Sequence, residues 1–168
     1  IQTARDFGIR ASFVEGDPSV ALGSTSMTLI ELTAAYAGIA ANAFPVEPHA
    51  FAREEKGWWE TLWDGPGSLS GRTHDDIQGM LRAAINDGTG RAAMLRGPNF
   101  GKTGTSQDFR DAWFIGFTGA LVAGVWIGND DMGPMKGVTG GGLPAELWRR
   151  FMSRALESGP DRAGRARE

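Results

Sequence analysis

Between positions 100 and 127 three short runs of strand-forming residues follow one another with little between them, and this constrains the fold more than any other feature of the chain. The runs cover 100–107, 112–117 and 121–127. The second and third are rich in Trp, Phe, Ile and Val, side chains that a pleated surface accepts well. Thr118-Gly119-Ala120 leaves room only for a reversal, so the last two runs are predicted to form an antiparallel hairpin. Because apolar residues fall on both of its faces, the sheet is expected to be covered by helices.

Helical spacing supplies those covers. Thr28-Leu29-Ile30-Glu31 has the form of a capping box, and Leu29, Leu32, Tyr36 and Ile39 recur at helical intervals until Pro45, which predicts a helix over 28–42. A second is predicted over 74–86, with Thr73 and Asp76 at its start, Ile77, Met80, Leu81, Ala84 and Ile85 on one face, and Asp87-Gly88 as its stop. A third should begin at Pro144, bury Leu147, Trp148, Phe151, Met152 and Ala155, and end before Gly159-Pro160. The polar residues beyond are expected to fray. Positions 46–63 are ambiguous, with Glu55-Lys56-Gly57 a plausible turn; Trp58, Trp59 and Trp63 fit hairpin packing better than a glycan-stacking surface. Glu54-Glu55, Asp75-Asp76 and Asp130-Asp131 are adjacent carboxylates whose side chains diverge, and they read as surface charge rather than an acid and base pair.

Composition narrows the chemistry. A net charge of −3 argues against nucleic acid as a partner. With no cysteine and only two, distant histidines, a metal centre or a Ser-His-Asp triad is not expected, nor is any cofactor. The longest apolar run, near residues 120–127, is far short of the roughly 20 residues that span a bilayer.

The candidate site is Lys102-Thr103-Gly104-Thr105-Ser106. In a strand Thr103 and Thr105 project to one face, so two hydroxyls can converge on a carboxylate. Gly104 leaves the strand unobstructed for a peptide lying along its edge, and Lys102 adds a cation on a flexible stem. The triplet alone is weak evidence, since a Lys-[Ser/Thr]-Gly arises by chance in roughly one chain in ten of this length. A competing reading is a nucleotide-binding loop, but Arg96 stands where that pattern needs glycine, and residues 104–117 read as turn and strand where it needs a helix. The glycine clusters Gly88-Thr89-Gly90 and Gly140-Gly141-Gly142 could bind an anion through backbone amides, although such clusters more often mark tight turns.

The flanks of the motif say more. The order and spacing of residues 86–93, the Lys-Thr-Gly segment, Asp111-Ala112-Trp113-Phe114, residues 125–131, Thr139-Gly140-Gly141 and Leu147-Trp148 resemble class A penicillin-binding proteins. Upstream, Thr3-Ala4-Arg5 to Gly8-Ile9, Ala21-Leu22-Gly23-Ser24 and residues 27–42 resemble the same family. Ser106 stands where that family often has threonine, and Asn42-Ala43-Phe44 replaces a glycine-containing turn.

The resemblance implies an α/β fold of α+β type, an antiparallel sheet flanked by helices as in penicillin-binding proteins and serine β-lactamases, incomplete in this chain. Residues 1–156 would be the C-terminal portion of a transpeptidase domain, and 157–168 a polar, disordered tail. It further implies D,D-transpeptidation of peptidoglycan on the periplasmic or extracytoplasmic face of the inner membrane, with any anchor outside this chain. The partners would be the D-Ala-D-Ala stem peptide, β-lactams and the remaining N-terminal part of the same domain. Lys102 and Thr105 would be catalytic. Thr103, Gly104, Thr105 and Ser106 would bind substrate, the Thr105 N–H being one of two oxyanion donors. The family's other two motifs, Ser-x-x-Lys and Ser-x-Asn, occur nowhere in the 168 residues. A non-catalytic module that binds muropeptide or a partner is therefore the alternative.

Overall fold

The computed structural model describes residues 1–51 and 66–163. Trp58, Trp59, Trp63, Glu54-Glu55 and the Glu55-Lys56-Gly57 turn lie outside the described residues. The chain forms two compact units, Ile1–Asp76 and Ile77–Glu168.

The first unit holds helix α1 (Gln2–Asp6), a 3₁₀ turn (Pro18–Leu22) and helix α2 (Leu29–Ala41). The capping box forms as predicted: Glu31 N donates to Thr28 Oγ1 at 3.2 Å, and Thr28 N donates to Glu31 Oε2 at 3.0 Å. Donation from the Thr28 hydroxyl and amide holds the Glu31 carboxyl below its ordinary range. The stripe of α2 differs from the prediction, because its most buried residues are the small Ala35 and Gly38 while Leu29, Leu32, Tyr36 and Ile39 are half-buried. The reason is close approach: Phe7 and Phe44 stack at 4.0 Å, and a methyl on Gly38 would come within 3.1 Å of Phe44 Cβ. Burial pushes the Tyr36 hydroxyl up to about 12.

At the end of α2, Asn42 adopts φ 49° and ψ 41°, the left-handed cap conformation usually given to glycine. Its side chain binds Leu69 twice, Nδ2 donating to Leu69 O at 3.1 Å and Oδ1 accepting from Leu69 N at 2.9 Å. Asparagine thus does here what a glycine-containing turn would do.

Helix α3 (Gly71–Asn86) begins three residues before the predicted start. Ser70 supplies the cap, its Oγ accepting from Thr73 N at 3.2 Å. Leu81 and Ile85 are buried, but Met80 is 65% exposed, because the apolar face is narrower than the sequence spacing suggests.

The second unit is built on strands β1 (Phe100–Thr105), β2 (Asp111–Thr118) and β3 (Leu121–Gly128), antiparallel in the order β1-β2-β3. Gly119 turns the β2–β3 hairpin with φ 53°. The first strand is two residues shorter than predicted, because Asp111 N donates to Ser106 Oγ at 2.7 Å and closes a tight loop there.

Helix α4 (Leu143–Ala163) lies on the sheet and runs past Gly159-Pro160, where the sequence predicts its end. Ala145, Trp148 and Met152 of α4 join Ile85, Ala93 and Phe114 in a core whose members are each 0% exposed. Trp148 Nε1 donates to Ala123 O at 3.0 Å and to Gly116 O at 3.3 Å, which fixes the helix to both β3 and β2. Leu147 and Phe151 were predicted to be buried and are not, being 42% and 60% exposed. With Leu143 they form a second apolar row, beside the one that packs.

Candidate active site

The first strand is an edge strand, so one side of its backbone is free of sheet partners among the described residues. Ser106 N donates to Asp111 O at 2.9 Å. In an antiparallel ladder hydrogen-bonded pairs alternate with non-bonded ones, so the N–H and C=O of Thr103 and Thr105 point away from β2. Lys102 Nζ donates to Thr103 O at 2.9 Å, consistent with that carbonyl facing outward. Lys102 is exposed and forms no ion pair among the described residues.

Thr103 and Thr105 share a face of the strand, as their spacing requires, and two other segments reach their hydroxyls. Thr89 Oγ1 lies 2.6 Å from Thr103 Oγ1. Gly140 N donates to Thr105 Oγ1 at 3.0 Å. Gly140 rests on the backbone of Gly104: a methyl there would come within 2.4 Å of Gly104 O and 2.3 Å of Trp113 O. At the next position a methyl on Gly141 would come within 2.2 Å of Thr89 O. The glycines of this loop are therefore needed for close approach. Gly104 itself backs onto Trp113, whose Cβ would stand 3.3 Å from an added methyl.

Beyond the strand, Ser106 is used locally, pairing with Asp111 through backbone and side chain. The loop that follows places Asp108 and Phe109 at φ 58° and 54°, uncommon values for residues with a side chain. Met135 N donates to Phe109 O at 3.1 Å and ties that loop to the segment after β3.

The sequence pattern of the penicillin binding protein transpeptidase domain matches residues 4–145. The chain belongs to that family. Penicillin-binding protein 2D of Bacillus subtilis (strain 168) is 30% identical over 177 residues, covering 97% of this chain and 25% of the relative. Penicillin-binding protein 1A of Aquifex aeolicus (strain VF5) is 34% identical over 143 residues, covering 80% of this chain and 19% of the relative. This transpeptidase chain thus spans a quarter or less of the length of these relatives. In fold it is similar to penicillin-binding protein 1A from Haemophilus influenzae, with TM-score 0.74 and 23% identity over 95% of this chain and 31% of that one. These matches bear out the class A resemblance and the helix-flanked antiparallel sheet.

The strand after Lys102 removes the nucleotide-loop reading, since that loop needs a helix there. Asp75, Asp76, Asp130 and Asp131 are exposed, as expected of surface charge. No group of three or more His, Cys, Asp or Glu side chains that could hold a metal occurs among the described residues, and none of their helices is long and apolar enough to cross a membrane. In the sequence Gly88-Thr89-Gly90 offers backbone amides to an anion, and nothing in it points to the Thr89 side chain. The Gly-Thr-Gly pattern of a tight turn gives no sign of which strand the hydroxyl will meet.

Proposed function

We propose that this transpeptidase segment supplies one wall of a serine-type D,D-transpeptidase site, with Lys102 and Thr105 as catalytic residues and Thr103, Gly104, Thr105 and Ser106 as the substrate-binding strand. The nucleophile lies upstream, in the remaining part of the domain. Residues 1–156 are the portion belonging to that domain, and the protein works on the extracytoplasmic face of the membrane.

In the proposed reaction the serine Oγ attacks the carbonyl of the D-Ala-D-Ala bond and gives up its proton. The oxyanion is held by the outward N–H of Thr105 and by the nucleophile's own amide, donors aimed at charge that develops only in the transition state. The C–N bond breaks as that proton passes to the departing amine of D-alanine, and an amine of a neighbouring stem then attacks the serine ester, expelling the serine Oγ, which takes up the proton the amine loses. Thr103 and Thr105 hold the terminal carboxylate through their hydroxyls. Lys102 stabilises the anionic substrate and hydrogen-bonds the serine of the absent Ser-x-Asn motif. β-Lactams present the same carboxylate and carbonyl and leave the serine acylated.

The observation that carries this reading is the combination of a free-edge Lys-Thr-Gly-Thr strand with the Thr105 N–H turned outward from the sheet. The test is labelling by a fluorescent penicillin of the full-length protein carrying this segment. Wild type should label and Lys102→Ala should label far more slowly at equal folding. A full-length protein that never labels would favour the non-catalytic module.

A further inference from the structure

Thr103 and Thr105 can hold a carboxylate only if each hydroxyl presents its proton to it, and a free hydroxyl rotates. Each hydroxyl has one proton to donate and two lone pairs to accept with. Thr105 Oγ1 already accepts the Gly140 N–H at 3.0 Å, an arrangement in which its single proton is left for another acceptor. Thr103 has the matching neighbour in Thr89, whose Oγ1 stands 2.6 Å away. That pair is symmetric, and either oxygen can be the donor. A carboxylate has no proton to give, so its arrival draws the Thr103 proton outward and leaves Thr89 to donate to Thr103 Oγ1.

We infer that Thr89, which lies outside the Lys-Thr-Gly strand, is a positioning residue that turns Thr103 into a hydrogen-bond donor toward the terminal carboxylate of the substrate. This inference rests on the carboxylate-binding role proposed above for Thr103 and Thr105. Thr89 does not touch the substrate. Its place is set by the turn after α3, where Gly90 N donates to Ala84 O at 2.9 Å, and by Gly141, which fits against Thr89 O only because it has no side chain. Strand, turn and glycine loop thus bring one oriented hydroxyl each side of Gly104.

The test uses the full-length protein and two peptidyl thioesters, identical except that one ends in a free carboxylate and the other in the primary amide. Thr89→Val keeps the branched shape and removes the hydroxyl, and Thr89→Ser keeps the hydroxyl and removes the methyl. Losing one neutral hydrogen bond should lower the second-order acylation rate of Thr89→Val on the carboxylate substrate by roughly 3- to 10-fold. The amide substrate should react at the wild-type rate, and Thr89→Ser should stay within about twofold of wild type on both. Equal loss on both substrates, or loss on neither, overturns the inference. Thr89→Ala is judged by the same comparison if the valine variant does not fold. Thr105→Val, run alongside, separates the two possible failures. If it loses the carboxylate preference and Thr89→Val keeps it, only the role of Thr89 falls. If neither loses it, the carboxylate site falls and the inference with it.

Discussion

Gly140 donates its backbone N–H to Thr105 Oγ1 at 3.0 Å while sitting directly on the backbone of Gly104. One residue without a side chain therefore makes both the contact and the hydrogen bond, and the two cannot be altered separately.

Gly140→Ala should lift the loop off the strand, because a methyl would overlap Trp113 O and Gly104 O. Overpacking of this kind costs about 1–3 kcal/mol. The expected outcome is a lower denaturation midpoint together with slower acylation in the full-length protein. Unchanged stability and rate would mean that the loop does not rest where described.

Met152 and Phe151 are neighbours on α4 with opposite environments, one fully buried and one 60% exposed. Met152→Ala should cost about 2–5 kcal/mol in urea unfolding of the 168-residue chain. Phe151→Ala should change stability by no more than about 0.5 kcal/mol in the same chain. A reversed order would place the wrong face of α4 on the sheet.

The sheet and its helices were legible in the sequence because hydrophobic period and turn residues act locally. The capping box at Thr28 and Glu31, the hairpin turned by Gly119, and the buried Trp148 and Met152 all follow from such local rules. The same rules could not decide which of two adjacent apolar rows on α4 packs, since Leu147 and Phe151 share the spacing of Trp148 and Met152. Nor could they show that small residues dominate the buried face of α2, because the close approach of Phe7 and Phe44 to Gly38 is set by the chain's tertiary path. Of the candidate site, Thr103 and Thr105 on one face followed from the two-residue period of a strand. Thr89 and Gly140 did not, because they reach that strand from 14 and 35 residues away.

Tyr36 is the only tyrosine in the chain, so phenolate absorbance reports on it alone. Burial raises its pKa from 10.0 to about 12, favouring the neutral form in the folded state. Because the unfolded chain ionises first, stability is unaffected below the unfolded pKa and falls as pH rises from 10 toward 12. A spectrophotometric titration should show the phenolate forming near pH 12 in the folded chain and near pH 10 in urea. Coincident curves would show that the Tyr36 hydroxyl is not shielded from water.

The 168-residue chain contains no Ser-x-x-Lys, so by itself it should form no stable adduct with a β-lactam. Removing the nucleophile of a serine hydrolase costs on the order of 10⁶ in rate. Intact-mass analysis after incubation with a fluorescent penicillin checks this. A covalent adduct on the isolated chain would place the nucleophile within it.

The most direct test of the proposed site is stopped-flow acylation of full-length Thr105→Val and Lys102→Ala by a chromogenic β-lactam, with melting curves alongside. Valine keeps the branched shape a strand prefers and removes only the hydroxyl, and a hydrogen bond to a charged group contributes about 1.5–3 kcal/mol. Thr105→Val should therefore acylate roughly 10- to 150-fold more slowly at unchanged stability, and Lys102→Ala more slowly still. Acylation of a stable Thr105→Val variant at the wild-type rate would contradict the carboxylate-binding role on which the proposed site rests.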